Sequence, residues 1–173
     1  MRLDLHTHCR EATGSLRPDV EIVRKIIARV KTRGLDGIAI TEHDDKDYAY
    51  RVMDIVERFF PGEILVIPGQ EKRRGLHHMV ELYLPDGSVF RFIAHPGNFS
   101  IPFGDHLDDI HGLEIENGNC VIDEGKARVF AQRHGLLLLS NSDAHTLSDI
   151  GRHYNEIALE ELSVRARRGV DSA

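Results

Sequence analysis

Six short apolar runs in this sequence are each followed at once, or after a short turn, by imidazole, carboxylate or amide side chains. Short apolar runs bounded by turn-forming residues are typical of buried strands. The runs lie at residues 3–5, 38–40, 65–67, 92–94, 113–115 and 136–139. If these strands point the same way, their carboxyl ends form one rim, and the polar residues that follow them collect there.

Segments with apolar residues at helical spacing lie between these strands. The pattern predicts helices over residues 20–32, 47–60, 123–134 and 160–168, with Asp19 as the cap of the first. Residues 79–84 and 88–93 instead predict a hairpin, and residues 155–159 a last strand. Six or seven strands alternating with helices predict a small, irregular α/β barrel. An open doubly wound sheet is the alternative, although it would scatter the strand ends.

Composition indicates an ordinary soluble protein. The 173 residues suit a single domain spanning 1–173, with 41% hydrophobic and 29% charged residues. The net charge of −6 argues against an extended nucleic-acid face. Two cysteines cannot build a disulfide framework, and no signal-peptide pattern or membrane-spanning run is present, so we expect a cytoplasmic protein without a membrane partner.

The first and last polar clusters share one spacing. His6 and His8 are two residues apart, and in a strand this spacing points both rings to one face. Asp143 and His145 repeat the spacing after the run at 136–139. Imidazoles combined with carboxylates suit Zn, Mn or Fe better than Mg or Ca. Surface histidines are the alternative, but the other clusters favour metal ligands.

The second and third runs add further candidate ligands. His43 lies between Glu42 and Asp44, which could orient a neighbouring imidazole. Glu71 could bridge two cations through its two oxygens, although an exposed glutamate after a turn would look the same. Of the adjacent pair His77 and His78, we prefer His78, since it alternates in step with the apolar residues at 80 and 82.

The remaining polar positions leave alternatives open. His95 could be a ligand or a buried structural histidine. Glu114 and Asn117 could be outer ligands, substrate contacts or, for the glutamate, a hydrogen-bond partner of a ligand histidine. Cys9 could be a thiolate ligand or a packing residue, and His153 a general acid, a phosphate contact or a loop residue. His106, His111 and His134 lack this context, and we expect surface or packing positions for them.

Four motifs occur in a diagnostic order along the chain. They are His6-Thr7-His8, Thr41-Glu42-His43, His95-Pro96 and Ser142-Asp143-Ala144-His145. Together they resemble the polymerase-and-histidinol-phosphatase (PHP) family. Glu71 resembles the bridging glutamate of that family, and His78 the histidine of its following strand.

The resemblance implies a small distorted (β/α)7 TIM-like barrel with two or three divalent metal ions, Zn, Mn or Fe, at the C-terminal ends of its strands. It implies one metal held by His6, His8, Glu71 and Asp143, and a second held by Glu71, His78 and His95. A third would use His43, His145 and a residue shortly after the first motif, for which Glu11 is our candidate. The segment after His8 departs from the family pattern, as does Glu42 in place of aspartate.

The resemblance also implies a phosphoesterase that cleaves a phosphate mono- or diester with a metal-bound hydroxide. The substrate would be a small phosphorylated compound or a nucleotide. Glu71 and Asp143 would serve catalysis as well as metal binding, and His145 or His153 would protonate the leaving group. Arginine forks match phosphate, and the loop candidates are Arg10, Arg73, Arg74 and Arg152.

Two other functions compete with this prediction. One is an amidohydrolase-like enzyme that cleaves a different bond with the same kind of centre. Such enzymes often use a carboxylated lysine bridge, for which Lys72 is the nearest candidate. The other is a non-catalytic module that only binds metal.

Overall fold

The computed structural model describes residues 1–97, 107 and 109–168 of the chain. The prediction for His106 lies outside these residues. The strands are β1 (Arg2–Thr7), β2 (Gly37–Ile40), β3 (Leu65–Arg74), β4 (His77–Tyr83), β5 (Val89–Ala94), β6 (Gly112–Asn117), β7 (Leu137–Asn141) and β8 (Asn155–Glu156). The helices are α1 (Cys9–Thr13), α2 (Val20–Thr32), α3 (Asp47–Phe59), α4 (Glu124–His134) and α5 (Leu159–Arg168).

One mixed sheet in the described residues curls into a nearly closed barrel, and its strand order is β7-β6-β5-β4-β3-β2-β1-β8. Parallel pairing joins β1, β2 and β3, and again β5, β6 and β7. The strand β4 runs antiparallel to both of its neighbours, and β8 runs antiparallel to β1. The predicted TIM-like barrel is therefore confirmed, and the polar residues that follow its parallel strands share one rim.

The strand count and two strand lengths differ from the prediction. The sheet has eight strands in the described residues rather than six or seven. β3 continues to Arg74, well past its apolar run, because residues 69–74 pair with β4. β8 is only two residues long, and α5 follows it after two residues. The helix α1, directly after the first motif, was not predicted.

The core lies in separate layers inside and outside the barrel. A cluster that includes Leu5, Ile67, Leu82 and Phe92 fills the interior, and Leu162 of α5 packs against it. Outside, α2 and α3 pack on β2, and α4 packs on β6. The predicted cap fixes the start of α2: the Asp19 carboxylate accepts a hydrogen bond from the Ile22 N–H at 2.8 Å. No helix among the described residues is both long and apolar enough to cross a lipid bilayer.

Two histidines and one cysteine lie in packing or surface positions, which we expected for His111 and His134 and left open as one alternative for Cys9. His111 is buried, and its Nδ1 accepts from the Arg91 N–H at 3.0 Å. His134 is exposed at the end of α4. Cys9 is fully buried in the apolar cluster under α2 and α3, with Sγ 3.6 Å from Thr7 Oγ1. Burial raises the pKa of the Cys9 thiol far above its usual range.

The side chain of Asn155 helps to close the seam between β1 and β7. The Asn155 amide donates to Leu3 O of β1 at 3.3 Å and to Ser140 O of β7 at 2.9 Å. Its Oδ1 accepts from the Ser140 N–H at 2.9 Å. The amide thus adds to the backbone hydrogen bond from the His8 N–H to Ala144 O, which links the ends of the same two strands at 2.9 Å.

We predict that Asn155→Ala lowers the free energy of unfolding by about 1–3 kcal/mol, because it leaves half-buried backbone groups unpaired. Urea denaturation would measure the change. Glu156→Ala is the matched control, since it removes only an exposed ion pair with Arg2 at 3.2 Å and should matter much less. Equal stability of the two variants would contradict the closing role of Asn155.

We also predict that the two cysteines differ sharply in reactivity. At pH 8 an aromatic disulfide reagent should titrate one thiol per folded chain, the exposed Cys120, and the buried Cys9 only after unfolding. The physical reason is that thiolate formation at Cys9 would place a charge in an apolar cluster. A Cys120→Ser variant that still reacts rapidly in the folded state would overturn this prediction.

Candidate metal centre

The carboxyl ends of the strands bring all the predicted ligands to one rim. Every member of the set contacts at least one other member. The set is His6, His8, Glu11, His43, Glu71, His78, His95, Asp143 and His145. The imidazoles of the first motif and the two carboxylates Glu71 and Asp143 are buried, whereas Glu11 and His43 are exposed.

Glu71 lies at the middle of this set. Its Oε1 is 2.8 Å from His78 Nδ1 and 2.9 Å from His95 Nε2. Its Oε2 is 2.9 Å from His43 Nδ1 and 3.4 Å from His8 Nε2. Burial alone would raise the pKa of Glu71, but the contacts with His6, His8 and His95 outweigh burial and hold it far below the usual range. Glu71 is therefore a carboxylate at neutral pH.

Local backbone distortions aim the ligands at this point. The pairing of β1 with β2 shifts register between Asp4 and Thr7, and bulges of this kind re-aim side chains next to functional sites. As a result, Leu5 packs in the barrel interior, and the adjacent His6 ring also lies there, 6.2 Å from Phe92.

Backbone strain is confined to the same rim. Among the described residues, the non-glycine residues with positive φ are Asp44 at 51°, His95 at 28° and Asp143 at 49°. Such conformations cost free energy and persist only where surrounding contacts impose them. Each of the three is a predicted ligand or follows one directly.

Within the described part of the chain, three groups of side chains have ligand atoms close enough to share a cation. They are His6, His8 and Glu71; then Glu71, His78 and His95; then His8, His43 and His145, with the atoms in each group within 4.8 Å of one another. Asp143 Oδ1 joins the first group, 3.5 Å from His6 Nε2 and 3.2 Å from His8 Nε2. The first two groups match the sets that the resemblance implied.

The third group differs in one member from the expected set. His8 stands where we expected Glu11, since the imidazole of His8 stacks on that of His43 with centroids 4.4 Å apart. Glu11 is nevertheless adjacent, with Oε2 3.7 Å from His145 Nε2. It remains a candidate fourth ligand on the exposed side.

The donor set fits divalent cations. Glu71 Oε2 and His8 Nδ1 are buried and make no hydrogen bond within the part of the chain that the structure describes. The Nε2 atoms of His6 and His8 face each other at 3.2 Å. There is room for only one proton between the two nitrogens, so one neutral ring would have to donate to the other. A cation held by both rings would instead use the lone pair of each nitrogen. Imidazole and carboxylate donors of this kind suit Zn, Mn or Fe.

Polar residues behind the ligands form hydrogen bonds that hold the ligands or the segments that carry them. Glu114 is buried and accepts from His6 Nδ1 at 2.9 Å, so of the alternatives left open the hydrogen-bond partner is the one observed. Asn117 donates to Glu114 at 2.9 Å. Glu42 accepts from the Arg10 N–H at 2.7 Å, and its Oε2 is 4.0 Å from His8 Nδ1, close to the predicted orienting role. Burial raises the pKa of Glu42.

Sequence analysis missed two residues that hold the last motif. Asp4 is fully buried and accepts from the N–H groups of Ser142, at 3.1 Å, and Gly151, at 2.9 Å. Its position inside an apolar run was a usable indication. The Asn119 amide contacts Asp143 O and lies 3.1 Å from His145 Nδ1. Nothing in the sequence around Asn119 pointed to this contact.

The predicted phosphate-binding arginines do not all reach the rim. Arg74 is a correction: it lies on the outer face of β3, opposite to the face that carries Glu71, and pairs with Glu81 at 3.6 Å and Asp109 at 3.4 Å. Arg152 is exposed and pairs with Asp149 at 3.2 Å, so this contact does not support its predicted role in phosphate binding.

Two other arginines lie close to the ligands. Arg73 shares the Glu71 face of β3 and is directly opposite His78 in β4. Arg10 lies just after the first motif and pairs with Asp45 at 3.1 Å.

Outside the ligand groups, His153 Nδ1 is 3.7 Å from Glu116 Oε2. Lys72 faces away from the rim and pairs with Glu81 at 3.4 Å.

Comparisons with known proteins give one partial sequence match and several similar folds. A family model described as PHP-associated matches residues 122–166. No curated protein sequence gives a significant match. The fold is similar to that of a proposed metal-dependent phosphoesterase from Bifidobacterium adolescentis, with a TM-score of 0.70 and 13% identity over 95% of this chain and 96% of that one.

Two further solved structures share the fold. PsfC from Pseudomonas syringae has a TM-score of 0.65 and 17% identity over 87% of this chain and 78% of that one. An amidohydrolase from Chromobacterium violaceum, solved with sulfate and without metal, has a TM-score of 0.66 and 17% identity over 95% and 97% of the two chains. The family-model match is limited to residues 122–166, and the three solved structures show that this chain shares their barrel fold.

Proposed function

We propose that this protein is a metal-dependent hydrolase of phosphate mono- or diesters. The observation that carries the proposal is the buried Glu71 carboxylate at the junction of ligand groups contributed by separate strands. The fold shared with the Bifidobacterium protein supports it. The sulfate bound by the Chromobacterium protein is a tetrahedral oxyanion like phosphate, and it adds weaker support.

The proposed ligands divide into buried and open sites. His6, His8, Glu71 and Asp143 would hold one cation, and Glu71, His78 and His95 a second. His43 and His145, with His8 and Glu11, would hold a third on the exposed side. Bound divalent cations would supply Lewis-acid activation of water and charge neutralisation at the phosphoryl oxygens.

The chain itself supplies fixed charge and orientation. Burial works to raise the pKa of Asp143, but contacts with His8, His6 and His95 hold it below the usual range, so this ligand stays ionised. His145 Nδ1 lies 2.8 Å from Asp143 O, and donation to that carbonyl would leave Nε2 free as a ligand atom. We therefore prefer His153, which lies outside the three groups, as the donor of the leaving-group proton.

Substrate binding would fall to the arginines near the ligands. Arg73, beside Glu71 on the same face of β3, and Arg10, after the first motif, are the retained candidates. Each guanidinium offers paired donors that match two phosphate oxygens. A small phosphorylated compound or a nucleotide fits this arrangement better than a long nucleic acid, because the chain carries a net charge of −6.

We predict that His6→Ala and Asp143→Ala each lower kcat/KM for phosphate release by more than about a hundredfold, since even residues that only orient metal ligands are worth about 10–100-fold. Both should also bind less metal while remaining folded by circular dichroism. The measurement is phosphate release from a panel of monoesters and diesters, with Zn, Mn or Fe returned to chelator-treated protein.

His134→Ala is the matched control for that experiment, because it removes an exposed imidazole on α4 and should change neither metal content nor turnover. Full wild-type turnover by metal-depleted His6→Ala protein would contradict the proposal.

The amidohydrolase-like alternative is favoured by the Chromobacterium similarity. A carboxylated Lys72 bridge cannot form at this centre, because Lys72 lies on the opposite face of β3 from Glu71. Hydrolysis of amides but not phosphate esters by the metal-loaded protein would select this alternative. Full metal occupancy without hydrolysis of either panel would select the non-catalytic module.

A further inference from the structure

We propose that Glu114 is the positioning residue of this centre: it fixes the protonation pattern of the His6 ring and ties His6 of the first ligand group to His95 of the second. The proposal rests on the proposed metal centre, although not on the identity of the bond that is hydrolysed. Glu114 belongs to none of the three ligand groups and is completely buried.

Four hydrogen-bond partners saturate the Glu114 carboxylate. Its Oε1 accepts from His6 Nδ1 and from Asn141 Nδ2, both at 2.9 Å. Its Oε2 accepts from the His95 N–H at 2.7 Å and from Asn117 Nδ2 at 2.9 Å. From β6 these contacts reach β1, β7 and the residue that directly follows β5, so a single carboxylate joins segments that carry different ligands.

The surrounding donors determine which His6 nitrogen carries the proton. The His95 partner is a backbone N–H, which can only donate. The Asn141 amide is oriented by its own oxygen, which accepts from the Leu5 N–H at 3.1 Å, so its nitrogen faces Glu114. The site is therefore built for an acceptor, and His6 Nδ1 donates to the ionised Glu114 in this proposal. That leaves Nε2 of His6 available as the ligand atom.

The same carboxylate supports a strained ligand in the second group. His95 has a φ of 28°, which a non-glycine residue adopts only when contacts hold it there. The hydrogen bond from its N–H to Glu114 is one such contact, and its Nε2 lies 2.9 Å from Glu71 Oε1. Loss of Glu114 should therefore disturb both ligand groups together.

Substitution by glutamine tests this chemistry with little change in volume. All four partners of Glu114 donate, so the amide NH2 of Glu114→Gln would face two donors in either orientation. Facing His6, it would drive the proton from Nδ1 to Nε2 and remove the ligand lone pair. Facing His95, it would oppose a backbone N–H that cannot reverse. Glu114→Asp keeps the acceptor charge and should rescue part of the function.

The decisive readout is the His6 ring in zinc-loaded protein labelled with 15N-histidine. The wild type should show a slowly exchanging Nδ1–H and a metal-shifted Nε2, assigned by their loss in His6→Gln. In Glu114→Gln the Nδ1–H signal should disappear or exchange with solvent. Chelator competition should show zinc affinity about 10–100-fold weaker in Glu114→Gln, with Glu114→Asp between that variant and the wild type.

Glu124→Gln is the matched control, because it neutralises an exposed glutamate on α4 and should keep wild-type zinc affinity and His6 resonances. A zinc-loaded wild type without a protonated His6 Nδ1 would overturn the proposal, as would wild-type affinity in Glu114→Gln. If Glu114→Gln does not fold, the wild-type spectrum and Glu114→Asp carry the test.

A failure of the proposed phosphoesterase function would be distinguishable from a failure of this inference. In that case phosphate release would be absent from every variant, whereas the His6 resonances and zinc affinities would still separate Glu114→Gln from Glu124→Gln.

Discussion

The structure depends on placing one buried carboxylate, Glu71, where imidazoles from several strands meet it. A buried charge is unfavourable unless it is compensated, and here the imidazoles whose nitrogens lie within 2.8–3.4 Å, or the cations that they would hold, supply the compensation. Those rings start on strands that are far apart in sequence. The barrel must therefore close accurately enough to bring them together, and the register shift in β1 and the strained φ of His95 and Asp143 are local consequences of that requirement.

Apolar packing supports the barrel interior, whereas side-chain hydrogen bonds support the rim that carries the ligands. Below the ligands, apolar side chains such as Leu82 and Phe92 fill the barrel and hold the strands at a fixed spacing. At the rim, polar side chains replace them: Glu114, Asp4 and Asn155 each make hydrogen bonds to segments that are remote in sequence. Packing fixes where each strand ends, and these hydrogen bonds fix the direction in which each ligand then points.

Much of the centre could be predicted because strand ends and alternation are local properties of the sequence. Those properties led to His6, His8 and Glu71, and alternation chose His78 over its neighbour. The same alternation puts Arg74 on the face opposite Glu71, so that mistake was avoidable once β3 was known to extend so far. The partners of Asp4 and Glu114 lie on remote segments, and a single sequence gives no distance between such segments.

The candidate metal centre limits the type of reaction more tightly than it limits the identity of the substrate. Cation-activated water can attack a phosphoryl or an acyl group, and the same buried donors would serve both reactions. Selection must therefore come from the groups around the ligands. The outward-facing Lys72 excludes the one lysine bridge we considered, whereas Arg73 sits on the Glu71 face of β3, where a planar pair of donors can meet two phosphate oxygens. That difference is the reason why we propose phosphate esters rather than amides as the substrates.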